Sequence, residues 1–226
     1  MNTEKMTVEL TFIDDILGTA PNNPEIHAEF IASKAPDYPS MEEEIAAIGV
    51  DAEVEKGMTV FPRDEEGYPI LWSYQIKGFF KSACAACQKM EGSLSEKITA
   101  YKKYVDTQVF VYPCAEDPSG RAIRIYTDDV IGDCQRPLRA MTAQGERVAL
   151  ANSERISKGA KCKFDIVLIS GGAKAKVKGE AQKDLVREWL DYGQFNGIGQ
   201  WRNSGRGALM WQEFDKEGNV IHGNLR

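Results

Sequence analysis

The chain has 226 residues, 42% hydrophobic and 27% charged, with a formal net charge of −6. That length can bury a real core in one domain, or in one domain with an insertion, and the composition is that of an ordinary globular protein rather than a disordered or fibrous one. No apolar run approaches a membrane span and the N-terminus lacks the charged and apolar regions of a signal peptide, so the expectation is a cytoplasmic protein with no membrane partner. The charge is unevenly spread. Residues 1–66 carry 16 acidic and 4 basic side chains, a balance of −12, whereas residues 67–226 carry 18 acidic and 24 basic, a balance of +6. Such asymmetry permits a basic groove on one face.

Met6 to Ile13 alternates with period two and predicts a half-buried strand. Residues 20–57 then change character, with four prolines, many carboxylates and two short helical patterns over Glu25–Ser33 and Met41–Ile48. Ser40 and Glu43 stand at capping-box spacing before the second. This stretch reads as an acidic helical insertion. Met58–Pro62 and Pro69–Trp72 predict short strands around the turn Asp64–Gly67. Apolar residues Ile76, Phe79, Phe80, Ala83 and Cys87 recur at helical spacing over Gln75–Met90, and a further helix is predicted over Ser95–Tyr104. Strands are predicted at Thr107–Tyr112, Ala122–Thr127, Arg136–Met141, Arg147–Ala151 and Lys161–Ile169, with turns at Ser119-Gly120 and Gln144-Gly145. An amphipathic helix over Glu180–Tyr192 and a strand over Ala208–Phe214 complete the chain. The order argues for an α+β protein with an antiparallel sheet on ferredoxin-like pairings, helices on one face, in a single domain.

The five cysteines are Cys84, Cys87, Cys114, Cys134 and Cys162. They read as reduced thiols, several buried. Cys84 and Cys87 have CxxC spacing, but both fall inside a predicted helix and no second close pair completes a structural zinc site. No metal or other cofactor is expected.

The densest signal is Gly193-Gln-Phe-Asn-Gly-Ile-Gly-Gln-Trp-Arg-Asn-Ser-Gly-Arg-Gly207, with five glycines in fifteen residues. Glycines let a backbone approach another chain closely. Arg202 and Arg206 offer planar guanidinium donors suited to phosphate, and Trp201 and Phe195 offer faces on which a base can stack. These are parts of a loop that holds a nucleic-acid backbone. The same pattern also reads as a tight turn and nothing more.

Several segments in order resemble the RAMP superfamily, the repeat-associated proteins that form backbone subunits of multi-subunit CRISPR effector complexes. They are the opening strand running into Ile13-Asp-Asp-Ile-Leu-Gly18, the stretch Thr59–Lys81 with its Lys77-Gly78, the strand region Glu154–Ile166, and the Gly-rich loop. The resemblance implies a modified RNA-recognition-type fold that grips single-stranded RNA. It also implies a partnership with copies of itself along the strand or with other effector-complex subunits. It places Gln75, Lys77 and Lys81 at a helix start beside Gly197, Gly199, Gln200, Trp201, Arg202, Asn203, Ser204 and Arg206, and a helix N-terminus is itself a phosphate site. Lys77 and Lys81, one turn apart, equally read as solvated helix lysines. The pattern departs where RNA-cutting relatives carry a catalytic aspartate, since Glu53-Val-Glu-Lys-Gly57 has none in register. Histidine is confined to His27 and His222.

The expected function is therefore non-catalytic binding of RNA or single-stranded DNA, in a CRISPR-type or phage-borne setting. Two alternatives stand beside it. One is a metal-dependent ribonuclease using Asp14, Asp15 and Asp64. The other is an acidic interaction protein that docks on a nucleic-acid-binding complex.

Overall fold

The structure is a computed structural model that describes residues 2–22, 58–114, 121–142, 145–170, 177 and 179–225. The expected helices at Glu25–Ser33 and Met41–Ile48 and the turn at Ser119-Gly120 lie outside these residues, as does His27. The chain divides into two compact units: one holds residues up to Ile16, Pro62–Asp129 and Ser157 onward, the other Leu17–Phe61 and Val130–Ile156.

The first unit is built on β1 (Thr3–Phe12), whose period-two pattern buries Met6, Val8, Leu10 and Phe12 on one side. A short strand β5 (Ile70–Trp72) leads into helix α1 (Ser73–Cys87), which turns Ile76, Phe79, Phe80 and Ala83 inward. Helix α2 (Tyr101–Gln108) runs directly into β6 (Val109–Pro113), and β7 (Ala122–Arg124) pairs with β5. Strand β10 (Lys161–Ile169), helix α3 (Glu180–Tyr192), β11 (Leu209–Phe214) and β12 (Val220–Gly223) follow.

The main sheet has the order β12–β11–β1–β10–β6 with antiparallel neighbours throughout. Taking β1, α1, β6, β10, α3 and β11 in turn gives a βαββαβ unit with its four strands ordered 4-1-3-2, which is the ferredoxin-like arrangement. The buried side chains of one sheet face, among them Val8, Phe164, Ile166, Val111 and Trp211, form the core with those of α1 and α3. Phe80 and Trp189 bring the two helices together, their rings 5.7 Å apart. Glu213 is buried on this face and is matched by Arg187 of α3, whose Nε donates to it at 2.9 Å. Arg187 also holds Glu180 and Asp184 at 2.6 and 2.7 Å.

The expected helix over Ser95–Tyr104 is interrupted. A 3-10 turn at Leu94–Lys97 ends at Ile98, and α2 starts only at Tyr101. The cause is tertiary. The Glu188 carboxylate accepts the Leu94 and Ser95 N–H groups at 2.6 and 3.2 Å and the Ser95 hydroxyl at 2.5 Å, and Trp189 Nε1 donates to the same hydroxyl at 2.9 Å. These bonds favour a tight turn where local periodicity favours a continuous helix. Strand β12, absent from the sequence reading, pairs with β11 after the turn around Asp215.

In the second unit β8 (Gly132–Thr142) and β9 (Gly145–Ile156) form a long hairpin that absorbs the two shorter strands expected there. Its sheet runs β2–β9–β4–β3, with β2 at Ile16–Leu17, β3 at Ala20–Pro21 and β4 at Thr59–Val60. β3 and β4 are antiparallel, and Asn22 N–H donates to the Met58 carbonyl at 3.0 Å. The chain therefore leaves at Asn22 and returns at Met58 on hydrogen-bonded neighbours. Glu154 ties these strands together, accepting Gly18 N–H at its carbonyl at 2.9 Å and Phe61 N–H at its carboxylate at 2.7 Å.

Candidate nucleic-acid interface

The Gly-rich segment connects α3 to β11 and folds back on itself. Ile198 N–H donates to the Gly207 carbonyl at 3.0 Å, and Leu209 N–H donates to the Gly193 carbonyl at 3.0 Å. At this crossing a Cβ on Gly197 would collide with the Gly207 carbonyl, and one on Gly207 would collide with that of Ile198. Gly207 also has φ of 71°, so glycine is required there on two counts. The glycines thus serve first to let the two arms of the loop cross.

The base of the loop is anchored to the end of β1. Arg206 Nη1 donates to Asp14 Oδ1 and to Asp15 Oδ2, both at 2.8 Å, and Gly207 N–H donates to the Asp15 carbonyl at 2.8 Å. Asp15 Oδ1 additionally accepts Lys158 N–H at 3.1 Å. Arg206 was expected on phosphate. Its position is that of a brace, with its charge met by two carboxylates. The same contact engages the two aspartates considered for a metal, and no group of three or more histidine, cysteine or acidic side chains suited to a metal ion occurs among the described residues. Asp64, the third candidate, receives Arg124 Nε at 2.5 Å and lies apart from them on the turn before Tyr68.

Beyond the crossing, the loop tip carries Gln200, Trp201, Arg202, Asn203 and Ser204. Trp201 has φ of 58°, the one non-glycine residue with positive φ among the described residues, and it stands 40% exposed. A bulky side chain in the left-handed region stores strain that the surrounding structure must hold. Its carbonyl accepts Ser204 N–H at 3.1 Å and the Ser204 hydroxyl at 2.8 Å, closing a 3-10 turn over Arg202–Ser204. Arg202 is half-buried; its carbonyl accepts Gly205 N–H at 3.0 Å, whereas its guanidinium has no hydrogen-bond or ion-pair partner among the described residues. Asn203 and Ser204 are exposed. At the other end Phe195 is 72% exposed, its ring 6.4 Å from that of Tyr192.

The three α1 residues expected beside this loop have other local duties. Gln75 Oε1 accepts Trp72 N–H at 2.7 Å and so caps its own helix. Lys81 pairs with Asp106 of α2 at 2.7 Å, and the hydrogen bond from Lys81 holds the Asp106 carboxyl below its ordinary value. Lys77 donates to the Asp106 carbonyl at 3.3 Å and lies over the Phe110 ring at 4.8 Å, and its burial pulls its pKa down. The loop meets α1 elsewhere, where Asn196 Nδ2 donates to the Ser82 hydroxyl at 3.3 Å. Ser82 lies about 100° round the helix from Lys81. The structure therefore gathers Gln200 to Ser204 at one tip and sets Lys77 and Lys81 on the α2 flank of α1.

No disulfide joins the cysteines among the described residues, and Cys84, Cys87 and Cys162 are buried. Burial pushes the thiols of Cys84 and Cys87 up to about 11, so neither is poised as a thiolate.

No protein-family model and no curated protein matches the sequence. Among solved structures, the chain is similar to a chain of the cryo-EM structure of the type III-B Cmr-beta bound to cognate target RNA, at 11% identity and a TM-score of 0.47. The match covers 98% of this chain and 60% of that one, so the chain spans under two thirds of its length. No helix among the described residues is long and apolar enough to cross a membrane.

Proposed function

We propose that the protein binds single-stranded nucleic acid without cutting it, with RNA as the favoured ligand, and that the tip of the Gly-rich loop is the gripping element. The observation that carries this reading is Arg202. It is a guanidinium without an ion-pair partner among the described residues, and it stands next to a strained, exposed Trp201. A free arginine donates to phosphate and an exposed indole stacks on a base. The Arg206 brace and the glycine crossing anchor the base of the loop that carries both before any ligand arrives, which lowers the ordering cost of binding. The exposed Asn203 adds a small polar donor at the same tip. The ferredoxin-like unit and the segments that resemble the RAMP superfamily support the same reading, with self-assembly along a strand or membership of an effector complex as its setting.

The test is titration of the protein into labelled single-stranded RNA and DNA of about 30 nucleotides at several salt concentrations, with an Arg202→Glu variant alongside. Salt-sensitive binding that the variant loses is the expected result. Binding that is absent in the folded wild-type protein, or indifferent to the variant, overturns the loop as the gripping element.

A further inference from the structure

The sheet has a second face, opposite the helices. Side chains alternate across a strand, so the residues between the buried ones point this way: Lys5, Thr7, Glu9 and Thr11 on β1, Lys161, Lys163 and Asp165 on β10, and Phe214 on β11. Two of the lysines are matched, Lys5 by Asp165 at 2.8 Å and Lys161 by Glu9 at 3.2 Å. Lys163 is different. Among the described residues no carboxylate pairs with it, and its ammonium lies 4.8 Å over the Phe214 ring.

Exposed aromatic rings flank this lysine. On β6, Tyr112 stands directly across from Asp165, while Tyr126 forms a two-bond bridge with Lys161, with N···O distances of 2.8 and 2.9 Å. Residues 161, 163 and 165 share one face and paired residues point the same way, so Tyr112 and Tyr126 belong to that face too. Same-face neighbours along a strand are about 7 Å apart, which puts the two tyrosines about 13 Å apart with Lys163 at the level between them. They are 44% and 48% exposed. Tyr126 is backed by Tyr68, 41% exposed, at 5.9 Å between ring centroids, and Arg124 lies 4.9 Å over the Tyr68 ring. The Tyr68 backbone is fixed through its N–H on Asp64 Oδ1 at 2.9 Å. The Tyr68 and Tyr126 rings are thus packed together before any ligand binds. Past Lys163 and Phe214 a groove of about 540 Å³ opens at the sheet edge, lined by Lys5, Lys183 and Lys216 and by Glu213, Asp215 and Glu217.

Three exposed tyrosines with an unmatched lysine between them fit neither a packed core nor a merely solvated face. Alternating π-faces and cations is the pattern that takes a single strand, bases on the rings and phosphates on the cations. We infer that this sheet face is a stacking platform for single-stranded RNA, with Tyr112 and Tyr126 receiving bases and Lys163 the phosphate between them. The inference rests on reading the chain as a single-strand-binding protein and extends the bound strand beyond the Gly-rich loop.

The experiment uses the full chain and a labelled 30-nucleotide oligouridine RNA, read by anisotropy, with 4-thiouridine photo-crosslinking to locate the contact. Stacking contributes roughly a 5- to 150-fold factor in affinity per ring. Tyr112→Ala/Tyr126→Ala is therefore expected to bind at least about 25-fold more weakly, with an unchanged dependence on salt. Tyr112→Phe/Tyr126→Phe should stay within about twofold of wild type, and crosslinks should map to the peptides holding Tyr112 and Tyr126. Alanine variants that bind like wild type overturn the platform, as does a loss that phenylalanine does not restore, or crosslinks confined elsewhere. Arg202→Glu separates the two readings. If it abolishes binding while the tyrosine variants change nothing, only the platform falls. If the tyrosine variants weaken binding and Arg202→Glu does not, the platform stands and the loop falls. A folded wild-type protein that binds no RNA overturns both.

Discussion

Arg206 and Asp14 lie 192 positions apart in the chain and meet at 2.8 Å, joining the loop before the last long strand to the end of the first. The neighbouring Asp15 takes the same guanidinium nitrogen at the same distance. The two arginines of the loop are thereby separated in role. One is neutralised and structural, the other is unmatched.

That separation predicts opposite phenotypes. Arg206→Gln should lower stability by about 1 kcal/mol, since the pair is only partly buried, seen as a fall of roughly 2–4 °C in melting temperature for a chain of this size. Arg202→Gln should change stability by less than about 0.5 kcal/mol but reduce RNA affinity and flatten its salt dependence by about one phosphate contact. Thermal melts and salt-dependent titration of both variants check this.

The glycine crossing predicts a steep difference between two glycines of similar φ. Gly67 has φ of 85° and open space where a Cβ would sit, whereas Gly207 has φ of 71° and the Ile198 carbonyl there. Gly67→Ala should cost about 1 kcal/mol, from backbone strain alone. Gly207→Ala adds a steric collision and should cost about 3 kcal/mol or more. Urea unfolding of the two variants measures the gap.

Acid should attack the α3 charge cluster. The hydrogen bond from Arg187 holds the Glu180 carboxyl below its ordinary value of 4.5, against the opposing effect of burial. A carboxylate depressed in the folded state stabilises fully above its unfolded value, and that stabilisation is lost as pH falls through the folded one. The melting temperature should therefore hold from neutrality to about pH 5 and decline below 4.5. At pH 7, Arg187→Met should cost about 3–5 kcal/mol, because Glu213 is left buried and unpaired, and Arg187→Met/Glu213→Leu should recover most of that.

Thiol chemistry gives an independent check on burial. Cys84 and Cys87 are buried with thiols raised to about 11, and Cys162 is fully enclosed. Native protein treated with iodoacetamide at pH 8 should be modified at the half-buried Cys114 and Cys134 alone, and at all five after unfolding. Peptide mass mapping distinguishes the two patterns.

The elements legible in the sequence were those whose own periodicity decides them. Glu180–Tyr192 and Lys161–Ile169 have the same bounds in the structure as in the amphipathic pattern. Elements governed by distant partners were not legible. The Ser95 turn is held by Glu188 from a helix 93 positions away, and Arg206 is claimed by carboxylates from the opposite end of the chain. The loop itself stood out because glycine, arginine and tryptophan mark it locally. Which of its charges stay unmatched depends on neighbours that no local window contains. The tyrosine row on the other sheet face has no local signature, because Tyr68, Tyr112 and Tyr126 come from three separate segments brought together only by strand pairing.

The junction at Asn22 and Met58 has an evolutionary and practical reading. Two chain ends joined by a hydrogen bond at 3.0 Å, on adjacent antiparallel strands, need no more than a short turn to connect them. Whatever sequence occupies that position can be lengthened, exchanged for another module or replaced by a hairpin loop without altering the order of strands on either side. The fold thus offers a socket there, at which new specificity can be fitted while the βαββαβ unit remains as it is.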